Sequence, residues 1–188
     1  MHPKKKLNAT QNMEKVKVSQ DFLYQYLVEH NFILSVLNKR MGVSSGILMG
    51  CFRHAPNSQG KPMKFSAANI EKMNVALSQI AEELRGCMLT YGSDQVVTKV
   101  RGGSYDPALV QPIREQIGNY FKTKAFLERV LGWNAKRWNA VLSSPSSKVY
   151  GQVTEEDADR INAELLAVIG VLSNYEVVAD DNDTIIAE

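Results

Sequence analysis

Leu37-Asn38-Lys39-Arg40-Met41-Gly42-Val43-Ser44-Ser45-Gly46-Ile47-Leu48 and Leu127-Glu128-Arg129-Val130-Leu131-Gly132-Trp133-Asn134-Ala135-Lys136-Arg137-Trp138 carry one pattern twice. Each runs from an apolar helix face into a glycine, then an apolar residue, then a residue able to cap a new helix. Glycine adopts the left-handed conformation that ends a helix. Ser44 and Asn134 are side chains that accept from the free N–H groups of a helix start. The pattern predicts helix, tight turn, short helix in both places.

The match extends outward. At an offset of 90, Leu37 falls on Leu127, Met41 on Leu131, Val43 on Trp133, Leu48 on Trp138 and Phe52 on Leu142. After a loop two residues shorter in the second copy the offset is 88, and Ser66 falls on Thr154, Asn69 on Asp157, Met73 on Ile161, Leu77 on Leu165, Ile80 on Val168 and Leu84 on Leu172. Identities are few; apolar positions, caps and breakers repeat, and these specify structure.

Each copy reads as four helices. The first covers about 20–29, and in the second copy opens at Asp106-Pro107, a cap followed by proline at the first helical position. There Val110, Ile113 and Ile117 share a face. The third helix turns Ile47, Leu48, Cys51 and Phe52 inward, or Trp138, Val141 and Leu142. The fourth opens at Ser66 or Thr154 and carries Ile70, Met73, Leu77, Ile80 and Leu84 at helical spacing. It stops at Gly86 or Asn174, residue types that tolerate a left-handed end. The expected organisation is a basic N-terminal arm (1–19), a first unit (20–90), a connector (91–105) with a short strand in Gln95-Val96-Val97-Thr98-Lys99-Val100, a second unit (106–176) and an acidic tail (177–188). The fold class is all-α.

Composition narrows the function classes. The 188 residues are 44% apolar and 22% charged, ordinary for a globular chain and unlike a disordered one. Two cysteines, Cys51 and Cys87, imply no disulfide framework and suit a reducing compartment. The longest apolar run, Leu165 to Leu172, falls far short of the roughly 20 residues of a membrane span. No apolar leader follows Met1-His2-Pro3-Lys4-Lys5-Lys6, so a cytoplasmic location is expected. The net charge of +2 divides into +5 over residues 1–95 and −3 over 96–188, so only local basic clusters argue for nucleic acid.

The paired strings around Gly42 and Gly132 resemble Cro/C1-type (lambda-repressor-like) helix-turn-helix regulators, over roughly 20–86 and 107–174. The resemblance implies tandem helix-turn-helix four-helix bundles that bind double-stranded DNA in a bacterium, phage or mobile element. Dimerisation on a palindrome is usual for such proteins, and a homodimer is one expectation; here one chain already carries two reading units. The chain departs from the family at Asn38 and Glu128, where a small alanine is usual, and at Leu34 and Lys124, where glutamine is common.

Carried over by position, the second copy offers Ala135, Lys136, Arg137 and Asn139 to base edges, and Ser143, Ser144, Ser146, Ser147 and Lys148 to phosphates. Asparagine pairs with adenine, and lysine or arginine with guanine. The first copy offers Ser45 and Met49 to bases, then Arg53, His54, Lys61 and Lys64 to phosphates. Its third helix is apolar and holds Gly46 and Gly50, so the second copy is expected to read bases while the first positions. Glu155, Glu156, Asp157 and Asp159 oppose this, since they would repel a nearby phosphate. Trp133, Trp138 and Cys51 read as core. His2, His30 and His54 lack metal-ligand spacing. No phosphate loop, G-x-S-x-G, H-E-x-x-H or dinucleotide fingerprint occurs, and no enzyme, cofactor, metal or small-molecule ligand is expected. Two rivals remain: a packaging or recombination accessory protein, and a helical interaction module without DNA binding.

Overall fold

The computed structural model describes residues 15–90, 98–100, 103–105, 107–142 and 153–179, and it is mostly helical. In chain order the elements are β1 (Val16–Val18), α1 (Gln20–Glu29), α2 (Leu34–Met41), α3 (Ser45–Phe52), α4 (Ala67–Arg85), β2 (Thr98–Val100), β3 (Gly103–Tyr105), α5 (Pro107–Pro112), a π-helical turn (Ile113–Ile117), α6 (Gly118–Tyr120), α7 (Thr123–Leu131), α8 (Ala135–Leu142), α9 (Glu155–Asn174) and β4 (Tyr175–Val177).

Both glycine turns form, with φ of 67° at Gly42 and Gly132. Their hydrogen bonding differs. Around Gly42 the N–H of Val43 reaches the Asn38 carbonyl (3.1 Å) and the N–H of Gly42 that of Lys39, a Schellman ending. The Asn38 side chain also donates to Val43 O (3.2 Å), so its amide helps to close the turn. At Gly132 a single bond runs back to Glu128 O (2.9 Å). Ser44 accepts from Ile47 N and Asn134 from Arg137 N, as their types demand. Ser66 caps α4, and Thr154 forms a capping box with Asp157 on α9.

Several expectations need correction. Gly86 follows α4 with φ −71°, and α9 passes from Asn174 into extended Tyr175, so neither long helix ends left-handed. The left-handed ends fall instead on Asn31 (φ 57°) and His54 (φ 48°), after α1 and α3. Ile47 is 41% exposed rather than inward, whereas Leu48, Cys51 and Phe52 are buried. Trp138 and Leu142 are half-buried against the core and Val141 is fully buried. The connector holds two strands, β2 and β3, paired antiparallel. Residues 16–18 of the expected arm form β1, parallel to β4, and β4 carries Val177 from the expected tail into the core. Asp106 and the segments 1–14, 91–97, 143–152 and 180–188 lie outside the described residues. In the second copy Ile113 and Ile117 are buried, but their helix is not regular. Pro112 has no N–H to give and its ring crowds the preceding turn, and a π turn begins at the next residue.

The two copies share one continuous apolar core, and corresponding parts meet. Helix α4 packs along α9. Phe32, just before α2, and Phe121, just before α7, pair in an antiparallel bridge. Ile33 N donates to Tyr120 O (2.7 Å) and Lys122 N to Asn31 O (2.9 Å). The two rings meet edge to face at 5.7 Å. Asn74 and Asn162 occupy the same place in the repeat, and each clamps the backbone beyond the other copy's long helix. Asn162 accepts from Leu89 N (2.7 Å) and donates to Leu89 O (2.8 Å). Asn74 accepts from Val177 N (2.8 Å) and donates to Val177 O (3.0 Å). Leu89 and Val177 are themselves equivalent at the offset of 88. The two asparagine contacts thus exchange with one another at that offset.

Two glutamates also join the copies. Glu83 on α4 takes Arg40 of its own copy (2.6 Å) and the Tyr120 hydroxyl of the other (2.7 Å). Glu164 on α9 takes Arg129 of its own copy (2.5 Å) and the His30 ring of the other. Burial pushes Glu164 towards the neutral form, but the bonds from Arg129 and His30 outweigh it and hold the carboxyl below its usual range. Tyr120 is driven up to about 12 by burial and by its bond to Glu83.

Candidate nucleic-acid interface

The candidate surface expected from the second glycine turn is built on α7 and α8. Gly132 turns the chain sharply, Asn134 starts α8, and the first turn of α8 is left exposed at Ala135, Lys136 and Arg137. Trp133 is 2% exposed and anchors the turn in the core. Lys136 has no ion-pair partner among the described residues. Asn139 is exposed and engaged in a contact of its own. Arg114 donates to the last carbonyl of α8, Leu142 O (2.7 Å), and Arg160 to Val130 O near the end of α7 (2.5 Å), where cations favour a helix C-terminus.

Arg137 is less available than its exposure suggests. Its guanidinium meets Asp157 Oδ2 at 2.8 Å and lies 4.6 Å from the centre of the Trp133 ring. Asp157 is buried and also completes the cap of α9. One acid of the first turn of α9 therefore binds a cation of α8 instead of facing outward, and it competes with any base for that cation.

Two further exposed lysines had no role assigned by sequence spacing. Lys122 and Lys124 lie exposed at the start of α7. The Lys124 ammonium sits 4.3 Å from the centre of the Trp138 ring on α8, and Lys122, Lys124 and Leu142 line one cavity beside the last turn of that helix. The signal available was the pair of lysines two residues apart, 122 and 124. Ser143, Ser144, Ser146, Ser147 and Lys148 lie outside the described residues.

In the first copy the same geometry carries different chemistry. Ser45 is exposed at the start of α3, and Met49 is half-buried. Gly50 packs against Met63: a Cβ there would come within 2.5 Å of the Met63 sulfur, and that flexible side chain would have to shift. Gly46 faces open space apart from its own cap. Arg53 reaches the Tyr24 hydroxyl at 3.5 Å. His54 is the left-handed residue after α3, and its ring meets Asp21 at 2.9 Å, which ties it to α1. Lys61 stands exposed on a loop closed by the Asn57 side chain, which accepts from Gln59 N and Lys61 N. Lys64 is exposed and has a contact of its own. The cations of the first copy thus follow α3, while in the second Lys136 and Arg137 lie in the first turn of α8.

Among the described residues no helix is long and apolar enough to cross a membrane. No family model, curated protein or solved structure matches the chain.

Proposed function

We propose that the chain binds double-stranded DNA through two helix-turn-helix units, α2–α3 and α7–α8, each braced by its long helix, and acts as a transcription regulator of a bacterium, phage or mobile element. The observation that carries this reading is the exposed, capped start of α8, which presents Lys136 with Trp133 buried behind it. A recognition helix reads base edges with its N-terminal residues while cations and N–H groups at helix starts hold phosphates. Lys136 and Asn139 are assigned to bases, and Lys122, Lys124 and Lys61 to phosphates.

Selection of bound sites from a random duplex pool, with affinity followed against salt, tests the reading. A recovered motif and a log–log slope of about −0.9 per phosphate neutralised support it. Lys136→Ala is expected to relax one position at a cost of about 1–3 kcal/mol, and Lys61→Ala to weaken all sequences alike. Salt-independent binding, or none at low salt, overturns it. The exposed Ile47 on an apolar α3 favours a second reading, a helical interaction module, for which the DNA titration stays flat.

A further inference from the structure

The reciprocal contacts between the copies bear on how a duplex would be arranged. Phe32 bridges Phe121, Asn74 clamps Val177, and Asn162 clamps Leu89. The two asparagine contacts exchange at the offset of 88, and the bridge maps onto itself because Phe32 and Phe121 each stand two residues before their helix, α2 or α7. A direct tandem repeat, in which one copy follows the other by translation, does not do this: its contacts join the end of one copy to the start of the next. Helix α2 runs on from Phe32 into the Gly42 turn and α3, and α7 runs on from Phe121 into the Gly132 turn and α8. Helix α2 packs on α4, and α7 on α9. The operation that carries α4 to α9 therefore carries α3 to α8.

From this geometry we infer that a single chain reads an inverted repeat, with α8 on one arm and α3 on the other. The inference rests on the DNA-binding reading above and adds the symmetry of the site and the number of chains on it. Symmetry in an operator mirrors the two-fold of the protein that reads it. Here that two-fold lies inside one chain, so no second copy is needed to complete it. The arms are unequal in content, because α8 offers Lys136 and Asn139 where α3 offers Ser45 and Met49. The site is an imperfect inverted repeat with one informative arm and one degenerate arm.

Three readings from the full chain test this. Site selection should return two inverted arms. Native mass spectrometry of the complex should show one chain per duplex. Selection with Lys136→Ala should change one arm and leave the other as it was. Two chains per site, with both arms altered by Lys136→Ala, overturn the inference, since α8 would then read both arms from two copies. Direct arms or a lone half-site overturn it while leaving DNA binding intact. No enrichment of any sequence removes the inference together with the proposed function.

Discussion

Replacing Asn162 by alanine tests the interlock between the copies. The Asn162 amide makes two bonds, at 2.7 and 2.8 Å, to the N–H and carbonyl of one residue, Leu89, which is 3% exposed. Each bond contributes about 1 kcal/mol net, and a backbone group left dry costs about 1–3 kcal/mol. Asn162 is only half-buried, so water can reach part of the vacated space and the upper end of that range does not apply. Alanine also favours the α9 helix over asparagine by about 0.5 kcal/mol. The expected loss is about 2–3 kcal/mol in urea unfolding followed by circular dichroism, with the denaturant slope unchanged. Asn74→Ala should cost a similar amount through Val177. A loss below about 0.5 kcal/mol for both variants would refute the view that these amides hold the copies together.

Gly42→Ala and Gly132→Ala should each lose about 1–2 kcal/mol, a purely conformational cost, because a Cβ meets nothing at either site; unchanged urea midpoints contradict this. Gly46→Ala should raise stability by about 0.5–1 kcal/mol, whereas Gly50→Ala should bring no such gain because it displaces Met63; equal midpoints for the two variants count against that packing. Glu164 has a carboxyl held below its usual range, so its contribution is present above the unfolded carboxyl value and is lost as pH falls through the folded one. Melting temperature between pH 6 and pH 3 should therefore fall more for the natural chain than for Glu164→Gln, and equal falls would mean that the Arg129 and His30 contacts contribute nothing.

What sequence could reveal was local. Gly42, Gly132, Ser44, Asn134, Ser66 and Thr154 act on backbone groups within four residues, and each does so as its type demands. The apolar spacing of α4 likewise marks its buried face. What stayed hidden depends on the other copy. Asn74 and Asn162 are identical in register, yet as half-exposed polar residues on long helices they look like solvent-facing positions until their partners are seen. Strands β1 and β4 span three residues each, too short for an alternation to register. The expected roles of Arg137 and His54 followed from position in a motif, but Asp157 and Asp21 come from other helices and claim those side chains. Gly86 looked like a left-handed stop because glycine can be one, not because it must.

The parallel pairing of β1 with β4 joins the first described element to the last, and this orders events during synthesis. At about 5–20 residues per second, β1 leaves the ribosome roughly 10–30 s before β4 exists. Until then Val16-Lys17-Val18 is an edge without a mate, the kind of segment that recruits strands from neighbouring chains. Its brevity and the lysine at its centre are the features that blunt such recruitment. Asn74 waits as well, since the carbonyl and N–H that it holds belong to Val177. The helices of the first copy can form while the ribosome is still at work, but this pairing closes only once residue 177 has been made.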